Sequence, residues 1–453
     1  MRYEEGRAIT RLTRVARAEV TRENSTVNNS TNNRRSLPPA SILVISAIIL
    51  IAATLRGDDW PQWRGPLRDG HAGVDALAIG KLPNELTPAW RIAIGGGFAS
   101  PVISGTKLIY CDGKDGQEIA HCLDAATGKE LWKLAYAPIF QDEWGAGPRS
   151  TPIIEDDRVY VQSCTGEFRC LSIADGKTIW QTSFEKDWGV KFLGSKANEG
   201  TASRRGNNGS GVIFKAMIVL PVGNTQGASL VSFDKKTGKV LWKSQNDEAA
   251  YSSFMIGKFA GIDQVIALTA DALLAVAPQD GSLLWRVPLK TNAKRHAASP
   301  VIFEDTVTVN SHTFGMICER ISRDSGGFQP TQAWANKALK INLSTPVEAG
   351  GYFYCQGANK DYVCVDARTG TLKWSQPGFG PGTKDNASTI VVKDKLLILA
   401  YDGQLILAAA DPGKYSELGR WQICGNTWSH PAYAQGRLYV RDGRELSCFQ
   451  LSK

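Results

Sequence analysis

HCLDAATGKELW (residues 121–132), LVSFDKKTGKVLW (230–242) and YVCVDARTGTLKW (362–374) are three copies of one pattern: alternating apolar residues, Asp, two small or polar residues, Thr-Gly, and a closing tryptophan. Weaker copies end at Trp180 and Trp285, and degenerate ones at Trp334 and Trp421. With Trp90 there are eight such tryptophans, and the seven intervals from Trp90 to Trp421 average about 47 residues. That period suits a four-stranded propeller blade and is too long for a leucine-rich or ankyrin repeat. Within each interval the apolar residues alternate, as in LIY (108–110), VYV (159–161) and LLIL (396–399), and Gly, Asp and Asn bound them. These are short strands joined by tight hairpins whose corners need positive φ.

The ends of the chain predict how the ring closes. The segment LTPAWRIAI (86–94) supplies one tryptophan strand with no hairpin before it, and RLYVRDGRELSCFQL (437–451) supplies strands with no tryptophan strand after them. Joined, they make one blade and leave no sheet edge unpaired. The expected fold is all-β, an eight-bladed propeller of four-stranded antiparallel blades, with each tryptophan buried between blades as a structural anchor. The domain reading is a leader over 1–56, an extension over 57–85 and the propeller over 86–453.

The formal charge of +8 suggests nucleic acid at first sight, but residues 1–36 hold eight Arg and four Glu, half of the excess. The body is nearly balanced, so nucleic-acid binding is not expected. The run ASILVISAIILIAATL (40–55) follows Arg34 and Arg35 and reads as an export signal, with an uncleaved anchor as the alternative. An exported, periplasmic or envelope-located monomer, touching membrane only through this segment, is the expectation.

Nine cysteines leave two readings open. Cys122, Cys170 and Cys364 each lie ten residues before a repeat tryptophan, where Ser232 and Ala275 stand in other blades. The position either wants a small side chain or carries hairpin-crossing disulfides Cys111/Cys122, Cys164/Cys170 and Cys355/Cys364. With no CxxC or HxxxH spacing and five scattered histidines, no metal site is expected.

The segments entering the first strand of each blade form a candidate axial ring: FASP (98–101), RSTP (149–152), NNGSG (207–211), YSSF (251–254), HAASP (296–300), NLSTP (342–346), NASTI (386–390) and WSHP (428–431). From it come the candidate ligand-binding residues Arg149, Asn208, Arg295, His296, Asn342, Asn386 and Trp428. The long interval between Trp180 and Trp242 adds a Gly/Asn/Ser-rich loop with Arg204 and Arg205. The ordinary reading of these residues is structural: Ser and Thr before Pro set strand entry, and Asn and Arg satisfy carbonyls.

The Ala-x-Thr-Gly-Lys-x-x-Trp repeat resembles that of the pyrroloquinoline-quinone (PQQ) propellers, a superfamily of quinoprotein dehydrogenases and non-enzymatic relatives of the BamB scaffold type. The segments DWPQWRGPLRDG (59–70) and EWGAGPRSTP (143–152) are similar to those of exported PQQ-like proteins common in planctomycetes. Trp60 and Trp63 in the first are expected to sit on the outer wall or base of the ring. The resemblance implies an exported non-catalytic binding or scaffold protein with an envelope protein or glycan as partner and no cofactor. Its alternatives are a PQQ- and Ca²⁺-dependent alcohol or sugar dehydrogenase, and a polysaccharide-binding propeller. For the dehydrogenase, Arg149 or Arg204 would hold the quinone carboxylates, Trp428 would stack on it and His296 or a carboxylate would act as base. The adjacent cysteines, Ca²⁺ ligand set and CxxCH haem motif of such enzymes are missing from the sequence.

Overall fold

The structure, a computed structural model, describes residues 58–192, 205–291, 294, 296–379 and 386–452. Among them are eight four-stranded antiparallel sheets. Blades 1 to 7 span 102–138, 153–183, 212–244, 255–288, 301–336, 347–377 and 387–422, and blade 8 joins 432–450 to Trp90–Ala93. The predicted closure is present, with Trp90 opposite Cys448 and Ala93 opposite Glu445. Arg441, which is fully buried, ties this seam by donating to the carbonyls of Cys111 (2.6 Å) and Gly95 (3.1 Å).

The repeat motif works as a lock between blades. Asp124 accepts from the backbone N–H (2.9 Å) and hydroxyl (2.7 Å) of Thr127, and Asp234 and Thr237 repeat the arrangement at 2.8 Å each. This turns the chain so that Gly238 sits at φ +72°, with a tryptophan of the preceding blade where a side chain would otherwise project. A Cβ on Gly238 would lie 2.6 Å from the Trp180 ring. The indole N–H of that same ring donates to the Lys235 carbonyl at 3.0 Å. Trp132, Trp242 and Trp334 dock in the same way on Ile173, Pro278 and Ala367. Trp285 instead donates to Gln264 within its own blade at 2.6 Å, because blade 5 replaces the Thr-Gly turn with two ten-residue strands, Gly315–Asp324 and Gly327–Asn336.

The register also decides the cysteine question. The residue opposite the tryptophan is Cys122, Cys170, Ser232, Ala275, Cys318, Cys364 or Cys448 in seven blades, and Leu405 in the other. A bulky indole on one strand leaves room only for a small neighbour. The disulfide reading is corrected: all nine thiols are free. Cys355 pairs with Val363 and Cys364 with Tyr354, so the two sulfurs point to opposite faces of their sheet. Cys122 faces Ile109 and Cys170 faces Tyr160 rather than the partners considered. Burial pushes the Cys122 thiol up to about 11 and that of Cys170 to about 12. Alkylation of the native chain is therefore expected to label few cysteines, and alkylation in denaturant without reductant to label all nine; a mass shift short of nine would show a disulfide.

Of the two places expected for the extension, outer wall or base, the outer wall is not the one taken: residues 59–71 form a strap across the central channel. Trp60 exchanges backbone hydrogen bonds with Ile103 of blade 1, and the Pro61 carbonyl accepts from Ile154 of blade 2. Arg68 reaches the Ser210 carbonyl beside blade 3, and Trp63 donates to Ser299 at the entry to blade 5. Arg64 donates to Pro346 before blade 6 at 2.7 Å, and Gly70 accepts from Val391 of blade 7. Blades 1 and 5, and 3 and 7, face each other across a ring of eight, so a segment touching all four must cross the axis.

Candidate functional site

The first strand of each blade is innermost, and the eight strand-entry segments meet around the axis. Their Ser and Thr residues form a belt in which the backbone N–H of one blade donates to the hydroxyl of the next. Ser100 donates to Thr151 (3.4 Å), Thr151 to Ser210 (3.1 Å), Ser210 to Ser253 (3.0 Å), Ser253 to Ser299 (3.3 Å) and Ser299 to Thr345 (3.0 Å). In blade 8 the same position is His430, whose N–H returns to the Ser100 hydroxyl at 3.0 Å. The sequence signal for this belt was a Ser or Thr recurring at the strand entries, before Pro at Ser100, Thr151, Ser299 and Thr345.

Above the belt is a cavity of about 340 Å³ to which all eight entry segments contribute. Arg149, Asn208, Asn342, Asn386 and Trp428 line it, together with Arg205 from the long loop. Phe98, Tyr251, Ser344 and Ser388 add to the wall, as do Trp63 of the strap and His430. Sequence reasoning put His430 in the ring segment 428–431 without naming it as a candidate, and did not place Trp63 or Trp144 here. Trp144 arrives on a small hairpin, Gln141–Asp142 paired with Gly145–Ala146, that leans over the cavity and leaves the indole 44 % exposed.

His296 is not part of this wall. It is buried against Phe314 at 5.8 Å between ring centres, and burial lowers its pKa to about 4. Arg204 and Arg295 lie outside the described residues, as does the 40–55 segment. No helix among the described residues is long and apolar enough to cross a membrane.

The charges around the cavity cancel locally. Arg149 holds Asp142 in a two-pronged pair at 2.6 and 2.8 Å, and Arg205 pairs with Glu143 at 2.6 Å. Burial alone would raise the Asp142 pKa, but the hydrogen bonds and charge of Arg149 outweigh it and hold the carboxyl below its usual range. Both guanidiniums also lie over rings, Arg149 5.4 Å from the centre of Phe98 and Arg205 5.5 Å from that of Trp144.

Behind the wall, His430 stacks on Trp60 at 5.9 Å and meets the edge of Trp63 at 5.5 Å. Its Nδ1 donates to the Pro431 carbonyl at 2.7 Å, so that nitrogen carries the proton and Nε2 does not. Burial, reinforced by the charge of Arg64, lowers its pKa to about 3. An unfolded histidine titrates near about 6.5. Between those values the unfolded chain takes up a proton that the folded one refuses, so this contribution is whole above about pH 6.5 and is lost as pH falls toward 3. The urea midpoint is expected to drop from pH 6.5 to 4 and to drop less steeply in His430→Gln, with His296 supplying part of the remaining slope.

A calcium–quinone group does not fit these residues. Ca²⁺ takes about six to eight oxygen ligands rich in carboxylate, yet among the described residues no Asp or Glu lines the cavity. Among the described residues no group of three His, Cys, Asp or Glu is placed to hold a metal. Of the two arginines considered for quinone carboxylates, Arg149 already pairs with Asp142, and Arg204 lies outside the described residues.

Comparison with known proteins agrees with the fold. A family model described as outer membrane protein assembly factor BamB matches residues 115–376 and 320–418. The protein of that name from Shewanella oneidensis is 21 % identical over 315 residues, 60 % of this chain and 72 % of its own length. The crystal structure of BamB from Moraxella catarrhalis superposes with a TM-score of 0.53 at 12 % identity, covering 81 % of this chain and 97 % of that one. A quinohemoprotein alcohol dehydrogenase from Pseudomonas putida superposes at 0.60 with 11 % identity, covering 88 % of this chain and 81 % of that one; at such identities the likeness speaks to fold alone. With the family match spanning well over half its length, the chain belongs to the PQQ-like propeller family of the outer membrane protein assembly factor BamB.

Proposed function

We propose that this protein is a non-catalytic binding or scaffold propeller of the cell envelope that works without a cofactor and engages its partner at the axial cavity. One observation carries the reading: all eight entry segments converge on a preformed cavity whose described wall has concave aromatic and amide surface and, among the described residues, no carboxylate to act as base or metal ligand. The export signal read at 40–55 and the name of the family's relatives support the envelope as its place.

The test uses the full-length chain, expressed in its source cells with a photo-cross-linking side chain at Trp144. Recovery in the envelope fraction with a discrete adduct, and no dye reduction with alcohols or sugars in the presence of PQQ and Ca²⁺, is the expected result. Retention in the cytosol, or turnover dependent on PQQ, overturns the proposal.

A further inference from the structure

The axial cavity does not end at its aromatic wall. A second cavity of about 100 Å³ lies on the far side of Phe98, Trp144 and Trp428, and those three residues line both spaces. The rings form a connected partition, with Trp428 centred 5.6 Å from Trp144, 5.3 Å from Phe98 and 5.7 Å from Tyr401. Its exposed member, Trp144, stands on the hairpin held by Asp142, which accepts the Trp144 backbone N–H at 2.8 Å and both prongs of Arg149. An exposed indole fixed in this way is a prebuilt platform rather than a loose surface side chain, and no ordering cost falls on it when a ligand stacks.

The polar groups select the ligand. The cationic side chains of the wall are matched by Asp142 and Glu143, and the one carboxylate of the smaller cavity, Asp442, accepts three backbone N–H groups from Gly425, Arg444 and Glu445 at 2.7–2.8 Å. Among the described residues, an anion would find no unmatched cation here, and a cation no unmatched carboxylate. What remains is neutral and able to accept or donate singly. The side-chain oxygen of Asn208 is shielded from solvent and has no donor, while Asn342 and Ser388 stand elsewhere on the same wall. A buried acceptor without a donor is costly unless a ligand supplies one.

Resting on the binding function proposed above, we infer that the two cavities form adjoining subsites for an uncharged oligosaccharide, with sugar rings stacked along the Trp144–Trp428 partition and a ligand hydroxyl donating to Asn208. A pyranose combines what the wall asks for, an apolar C–H face for the indoles and hydroxyls for the amides. The larger cavity is at the small end of the range for small-molecule sites, roughly 300–1,000 Å³, which suits a ring or two.

The experiment titrates the full-length chain in detergent with neutral tetrasaccharides (cello-, malto-, xylo- and N-acetylated chito-tetraose) and with tetragalacturonate as the charged control, read by calorimetry and tryptophan fluorescence. At least one neutral tetramer is expected to saturate the protein, to bind more tightly than the acidic one, and to lose about tenfold or more in affinity in Trp144→Ala. Because that indole is exposed, the variant is expected to keep the parent's urea midpoint, and Asn208→Ala gives an independent second readout of weakened binding. No binding by any neutral tetramer at millimolar concentration, tighter binding of the uronate, or affinity unchanged in both variants overturns the inference. If the cross-linked envelope adduct forms while no saccharide binds, the saccharide site falls and the scaffold function stands; if neither occurs, both fall.

Discussion

Replacing Trp60 with alanine is expected to lower the stability of the ring by about 3–5 kcal/mol, the usual range for removing a large buried aromatic. The indole is 1 % exposed, stacks on His430 and packs in the largest apolar cluster with Ile103, Leu108 and Tyr433. The strap cannot fill the hole by shifting, because its backbone is tied on both sides: Trp60 to Ile103 at 3.0 and 2.8 Å, and Gly70 to Val391 at 2.9 Å. Two further features raise the stake. Arg64 and Arg68 are buried in the same segment, where burial pulls their guanidiniums down to about 10 and about 9, and each is held mainly by carbonyl or amide oxygens. Loosening the strap would strip those oxygens from charges that are already poorly solvated. Equilibrium urea unfolding of Trp60→Ala against the exposed-site control Leu77→Ala checks this. Equal midpoints would show that the strap is not part of the cooperative fold.

Arg441→Leu is expected to cost about 3 kcal/mol or more at the closure of the ring. The guanidinium sits between blade 8 and blade 1, and its removal leaves the buried carbonyls of Cys111 and Gly95 without that donor. Leucine restores most of the volume, so the loss reports hydrogen bonding rather than a cavity. The seam also joins the two ends of the propeller, so weakening it exposes sheet edges on both sides. The expected signature is a lower urea midpoint together with faster proteolysis at 90–93 and 445–450; an unchanged midpoint would show that backbone pairing between Trp90–Ala93 and Glu445–Gln450 closes the ring unaided.

Blade number, strand order and closure were legible in the chain because each depends on local chemistry. The Asp-x-x-Thr-Gly turn, the positive φ at glycine and the tryptophan strand that follows are set within some twelve residues, and repetition places the indole of one copy over the glycine of the next. The two incomplete ends declared the shared blade because neither could pair its own edge. The axial ring was legible for a similar reason: a short polar segment with Ser or Thr, followed by Pro in four of the eight, recurs at the strand entries, and the structure brings Arg149, Asn208, Asn342, Asn386 and Trp428 around one cavity.

What the sequence left open was decided by strand register and by packing outside the repeat motif. Whether a cysteine ten residues before a tryptophan is oxidised or merely small depends on which face its partner strand presents, and one step of register changes the answer. Candidate residues one position apart can lie on opposite sides of an entry segment, which is why His296 packs against Phe314 while Ala297 faces the cavity. The course of residues 59–71 had no local signature at all. Two tryptophans and two arginines in a Gly/Pro-rich stretch suit an outer wall as well as a channel, and only the closed ring, with its inner carbonyls at Ser210 and Pro346, supplies the partners that draw the segment across the axis. The sequence by itself determined the repeating unit and how many fit; the tertiary structure decided what fills the middle, because a channel and its lining exist only once all eight blades are in place.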